Sequence, residues 1–153
     1  MAKLTKIEVT ITTGKMKDAG TDGSVYLGSC GREFHCDTGA DDFERGSSRL
    51  YIFGRGANVN DAKNNDPRKP PIELEHQNLY PVYIRFEPGT GGSSGWNLQR
   101  AMVNLNGSFI PDWDSFLHED VNGNFHEEGL WLGINKGQFL FLGKPVEVPF
   151  KRK

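Results

Sequence analysis

Apolar and polar residues alternate in short runs along most of the chain. Over residues 6–13, Ile7, Val9 and Ile11 alternate with Glu8, Thr10 and Thr12. That two-residue period predicts a strand with one buried and one wet face. A polar loop with Gly14, Gly20 and Gly23 follows, and residues 25–27 open a second strand. A turn at Gly31 returns the chain into Phe34-His35-Cys36, read as the hairpin partner. In residues 49–53, Leu50 and Ile52 fall on one face and Tyr51 and Phe53 on the other, so this strand is expected in the middle of a sheet. Residues 54–78 read as a long surface loop around a short strand at 72–74, because Asn64-Asn65-Asp66-Pro67 and Pro70-Pro71 cannot continue a ladder. Strands are expected again at 82–86 and 101–105, the second approached through Trp96-Asn97-Leu98. Asn106-Gly107 is a strong hairpin signal. Asp112 is placed to cap one helical turn over residues 113–118. The tail predicts strands at 130–134, 139–142 and 146–148, with a turn at Asn135-Lys136-Gly137.

Many short strands with turn residues between them, and no alternation of strand and helix, predict an all-β fold. The expected architecture is a two-sheet antiparallel β-sandwich of about eight strands with an extra C-terminal hairpin. The sequence of 153 residues is the size of a single domain, 1–153. Its 19 Gly and 8 Pro are spread as turn punctuation. The net charge of −2, with both signs interspersed, gives no basic face and argues against a nucleic-acid partner. No signal-peptide pattern opens the chain, so a cytoplasmic protein, or a portion of a secreted one, is expected. Cys30 and Cys36 are read as two reduced thiols, with a cross-hairpin disulfide as the alternative.

The candidate chemistry lies in two acidic, Gly-rich loops. The first offers Asp18, the Gly20 carbonyl, Thr21 and Asp22; the second offers Asp37, Thr38, the Ala40 carbonyl, Asp41 and Asp42. Calcium takes six to eight oxygen ligands from carboxylates and carbonyls, which such loops supply. If the second and third strands form a hairpin, the first loop enters it and the second leaves it at one end, side by side. Asp and Gly are also ordinary turn residues, so the alternative is two plain surface turns. Against that, five aspartates gathered without a cation would repel one another.

The same residues carry a likeness. Lys17-Asp18-Ala19-Gly20-Thr21-Asp22 before a Tyr-containing strand, then Asp42-Phe43-Glu44-Arg45-Gly46 before another, then Gly95-Trp96-Asn97-Leu98, resembles the PLAT family of polycystin, lipoxygenase and alpha-toxin domains. The wording is most similar to the C-terminal domain of clostridial alpha-toxin, and the likeness covers residues 5–107, leaving 108–153 as an extension. It implies an eight-stranded sandwich that holds calcium at one end and docks on membrane lipid or a protein partner. By the resemblance, Asp18 and Gly20 share one calcium position. Thr21, Asp22, Asp41 and Asp42 share a second, and Asp37, Thr38, Ala40 and Asp42 a third. The chain departs from the pattern in three places. Ser94-Gly95 stands where an Asp is expected, Thr38 replaces an amide and Ala40 replaces a Gly, so one or two ions are expected.

No nucleophile motif joins His35, His76, His118 and His126, so the chain is read as a non-enzyme. Residues 120–124 resemble the opening of a calcium loop but lack its ligand spacing, and read as a hairpin turn. Phe43 and Trp96 are expected in the core. The rival function is a calcium-independent module binding carbohydrate or another protein, with Tyr51, Tyr83 and Trp113 as the aromatic platforms. The apolar tail, with Phe139, Leu140, Phe141 and Leu142, either completes the sandwich or forms a homodimer surface.

Overall fold

The computed structural model describes residues 2–89, 95–115, 117 and 128–145. The strands are β1 (Lys6–Thr13), β2 (Ser24–Ser29), β3 (Arg32–His35), β4 (Ser48–Gly54), β5 (Tyr83–Glu87), β6 (Gly95–Leu105), β7 (Trp113–Asp114), β8 (Leu130–Gly133) and β9 (Phe139–Phe141). Two 3-10 turns, Ala62–Asn65 and Leu74–Asn78, interrupt the long connection before β5. One sheet runs β4-β1-β6-β7, with β8 also on β6; the other runs β3-β2-β5-β9. Every strand pair is antiparallel. The fold is the two-sheet sandwich that the alternation predicts.

The inward residues of both sheets form one core. Ile7, Val9, Ile11, Tyr51, Phe53, Trp96 and Val103 come from the first sheet; Val25, Leu27, Phe34, Ile84 and Phe86 come from the second. Rings join the layers: Phe34 and Phe53 lie 5.3 Å apart between centroids, and Phe86 and Trp96 5.6 Å. Trp96 is fully buried, and its Nε1–H donates to Thr13 Oγ1 at 3.0 Å, which leaves the indole no unpaired polar group. β6 changes its inward face between Leu98 and Ala101, beside a register shift at Thr12/Thr13. This irregularity breaks the alternation in sequence and splits one long strand into two apparent pieces.

Several expectations are corrected. Residues 49–53 form an edge strand: Tyr51 and Phe53 face the core, while Leu50 is exposed. The Asn58 side chain bonds Ile52 N and Leu50 O, both at 2.8 Å, and closes that edge. Tyr51 is therefore no surface platform. Trp113 opens β7 instead of a helical turn, and its indole donates to Gln77 Oε1 at 3.0 Å. Residues 72–74 give a bridge between Glu73 and Lys3, followed directly by a 3-10 turn. The two C-terminal strands do not form a hairpin with each other. β8 joins β6 and β9 joins β5, so the Gly133–Gly137 turn crosses from one sheet to the other.

Cys30 and Cys36 are free and buried. Cys30 sits in the β2–β3 turn with φ 55° beside Gly31 at φ 79°, the paired left-handed conformations that a two-residue hairpin turn requires. Cys36 lies beyond the far end of β3, so the thiols are separated by about 16 Å of strand, which no disulfide spans. The readings for residues 118–127 and 146–148 lie outside the described residues.

Candidate cation site

Both acidic loops cross between the sheets at one end. Residues 14–23 carry the chain from β1 in the first sheet to β2 in the second, and residues 36–47 return it from β3 to β4. Backbone bonds stitch them together: Gly46 N to Gly14 O at 2.9 Å, Thr13 N to Ser47 O at 2.9 Å, and Thr21 N to Phe43 O at 3.1 Å. Gly20 is pressed on the second loop so closely that a Cβ there would lie 3.0 Å from Arg45 N and 3.1 Å from Phe43 O. Phe43, at φ 61°, turns its ring into the core against Trp96 and Tyr51, both with centroids 5.4 Å away. Beyond that turn, Glu44 stands exposed.

Asp22, Asp41 and Glu44 present carboxylate oxygens within 4.8 Å of one another, and all three side chains are exposed. A hydrogen bond to Asp41 is the main cause that holds the Glu44 carboxyl above its usual range, followed by repulsion from Asp41, partial desolvation and repulsion from Asp22. Beside the trio lies a polar cleft of about 350 Å³ whose lining includes Thr21, Asp22, His35, Asp37, Ala40, Asp41 and Asp42.

Asp42 is set apart from the trio. Its oxygens accept from Thr38 N at 2.7 Å, Thr38 Oγ1 at 2.8 Å and the Tyr51 hydroxyl at 3.1 Å. Arg49 Nε lies 3.4 Å away without hydrogen-bond alignment, a Coulombic contact only. With both oxygens engaged, Asp42 braces the second loop against β4. Burial, together with the Asp42 charge and hydrogen bond, pushes the Tyr51 hydroxyl far above its ordinary range, and burial does the same to the Cys36 thiol. Asp37 is tied to the long connection: its Oδ2 accepts Asn60 Nδ2 at 2.9 Å and its carbonyl accepts Asn60 N at 2.9 Å.

Of the residues read from the sequence, the fold brings Thr21, Asp22, Asp37, Ala40, Asp41 and Asp42 to one cleft. Gly20 packs behind it, Thr38 holds Asp42, and Asp18 stands exposed at φ 62° on the first loop. Glu44 was missed. The signal for it was its place three residues after Asp41 across a turn whose middle residue, Phe43, is apolar and seeks the core. Fit to a hard cation rests on Asp22, Asp41 and Glu44, three exposed carboxylates whose oxygens lie within reach of one ion.

No family model matches the chain. Lipoxygenase homology domain-containing protein 1 of Homo sapiens is 28% identical over 120 residues, which take in 73% of this chain and 5% of that protein. Among solved structures, the alpha toxin from Clostridium absonum superposes with a TM-score of 0.57 at 20% identity, over 92% of this chain and 32% of that one. Coral 8R-lipoxygenase, an enzyme with calcium activation via a C2-like domain, gives a TM-score of 0.53 at 18% identity, over 91% of this chain and 17% of that one. The chain thus spans only a small part of each protein it resembles. With two antiparallel sheets in this order and these neighbours, the chain carries a PLAT-like β-sandwich fold.

Proposed function

We propose that this chain is a non-catalytic docking module that takes calcium between its two acidic loops and targets membrane lipid. The observation that carries the reading is the gathering of Asp22, Asp41 and Glu44 within 4.8 Å on loops already bonded to each other. The hydrogen bond to Asp41, and after it repulsion from Asp41 and Asp22, holds Glu44 above its usual range; a divalent cation would take the place of that shared proton and offset the repulsion. Nearby carbonyls and water would complete the oxygen shell.

The lipid target is supported by the rest of that end. The β8–β9 turn carries exposed Ile134 and Lys136, and it sits beside β5 because Phe86 N donates to Gln138 O at 2.8 Å. Lys15, Lys17 and Arg45 are exposed on the acidic loops themselves. An apolar tip with cations around a calcium site suits an interface of anionic headgroups.

Thermal unfolding with calcium and with a chelator tests the metal. Calcium at 100 times its dissociation constant stabilises a native state by about 2.7 kcal/mol, or roughly 5–10 °C for a domain of this size. Asp22→Asn, Asp41→Asn and Glu44→Gln should each diminish the gain. Sedimentation with phosphatidylserine-containing vesicles tests the target, and Ile134→Ser should weaken it. No calcium shift in the native chain ends the metal reading; a calcium shift without vesicle binding redirects the target to a protein partner.

A further inference from the structure

β9 is the outermost strand of its sheet, and among the described residues nothing pairs with its free edge. The bonds it makes inward fix which groups point outward. Phe86 N donates to Gln138 O, and Leu142 N donates to Val82 O, both at 2.8 Å. Backbone groups alternate between the two sides of a strand. Residues 138, 140 and 142 therefore turn theirs toward β5, while Phe139 and Phe141 turn an N–H and a C=O each toward solvent.

Two other sheet edges are treated differently. On β4, the Asn58 side chain bonds Ile52 N and Leu50 O, both at 2.8 Å. On β3, Asn65 Oδ1 accepts His35 N at 2.8 Å. These amides occupy edge groups that would otherwise offer a template for another chain. β9 has no such cover among the described residues, and its sequence of Phe-Leu-Phe carries no charge or proline to deter pairing. Both phenyl rings stand on the outer face, 46% and 62% exposed, with planes 11° apart. They flank Tyr83, whose ring centroid lies 5.3 Å from that of Phe139 and 6.0 Å from that of Phe141.

We propose that two copies of this chain pair through β9, antiparallel about a two-fold axis at Leu140, joining their four-stranded sheets into one. The occupant is a second copy because the edge is complementary to itself. The outward-facing residues are symmetric about Leu140, so Phe139 meets Phe141 of the second copy and Phe141 meets its Phe139. Each facing pair exchanges hydrogen bonds in both directions. The phenyl rings then stand directly opposite one another on one face, extending the row begun by Tyr83, as cross-strand aromatic pairs do. The interface is isologous and closes at two copies. With only a three-residue strand on each side, it is weaker than a standard protein interface.

Sedimentation equilibrium of the full chain in chelator, from micromolar to millimolar, removes any contribution of calcium. The expected result is a weight-average mass that rises toward twice that of the monomer. Phe139→Lys and Phe141→Lys should remain monomeric over the same range while still unfolding cooperatively, with a thermal midpoint lowered only by the lost ring contacts with Tyr83 and between the two phenyl groups. The register is tested by mixing Phe139→Cys with Phe141→Cys under mild oxidation. The mixture should give a disulfide-linked dimer, because these positions are directly opposed. Neither variant alone should, because each then meets its own copy diagonally, at about 7–8 Å, beyond disulfide reach. A native chain that stays monomeric at millimolar concentration overturns the proposal. So does a dimer that survives Phe141→Lys, or that forms no disulfide in the mixture.

Discussion

Replacing Tyr51 with Phe tests whether Asp42 is a brace. Tyr51 is fully buried, its ring stacks on Phe43 at 5.4 Å, and its hydroxyl donates to Asp42 Oδ1 at 3.1 Å. The substitution keeps the ring and deletes that one bond. A hydrogen bond to a charged group contributes about 1.5–3 kcal/mol. This one is longer than the usual charge-assisted O–H···O⁻ contact, and Asp42 keeps its two bonds from Thr38. The carboxylate is thus not orphaned, and the loss belongs at the low end, about 1.5 kcal/mol. For a domain of this size that is roughly 3–6 °C in thermal midpoint.

Urea unfolding followed by fluorescence measures the loss, with the slope of the transition expected to stay the same. A double-mutant cycle with Asp42→Ala, which removes the acceptor, separates the bond from other effects. The two residues touch, so a coupling of about 1 kcal/mol or more is expected. A loss under about 0.5 kcal/mol, or two changes that simply add, would show that the hydroxyl and the carboxylate do not hold each other.

Three other outcomes follow from the same structure. Glu44 has its carboxyl pKa raised by Asp41 and Asp22, so its ionised form opposes folding and stability declines as pH rises through its titration; Glu44→Gln should raise the thermal midpoint of the calcium-free protein at neutral pH while diminishing the gain from calcium. Burial holds the Cys36 thiol well above its ordinary value, so its contribution is complete below about pH 8.5, where the unfolded thiol titrates, and declines above it; Cys36→Ala should flatten the fall of urea midpoint between about pH 8 and pH 10. Thr13→Val removes the acceptor of the buried Trp96 indole N–H, leaving an unpaired donor at a cost of about 1–3 kcal/mol, which urea unfolding would register.

How much of this was legible in the sequence depends on whether the residues act locally. The alternation of Ile7, Val9 and Ile11 fixed a strand and its inward face, and both were found. The edge position of β4 was not legible, because Leu50 and Ile52 are as apolar as Tyr51 and Phe53. Only the tertiary arrangement shows that Asn58, from the next loop, covers the outer edge. Asn106 followed the same logic. Its turn was readable, but its side chain also accepts Thr5 N at 2.8 Å and Lys6 N at 3.2 Å, pinning the N-terminal segment 100 residues away in sequence. At the site, the presence of two acidic loops at one end was readable from strand pairing. Which carboxylates stay available was not. Asp42 and Glu44 are two residues apart and chemically alike. The left-handed turn at Phe43 separates them, one into a network with Thr38 and Tyr51, the other into the open beside Asp22 and Asp41.

That separation bears on how the site would work. A loop that must be ordered by its ligand loses part of the binding energy to conformational entropy. Here the order precedes the ligand. Phe43 anchors the second loop in the core, Asp42 ties it to β4, and Thr21 N and Gly46 N bond it to the first loop. The exposed carboxylates are then displayed on a frame already fixed on both sides, at the cost of the repulsion registered at Glu44. A cation entering such a frame gains from relieving that repulsion and orders little new backbone. Calcium binding should therefore raise the unfolding midpoint while leaving the far-ultraviolet circular dichroism of the sandwich unchanged. A gain in ordered structure on adding calcium would mean that the loops are not held as these bonds hold them.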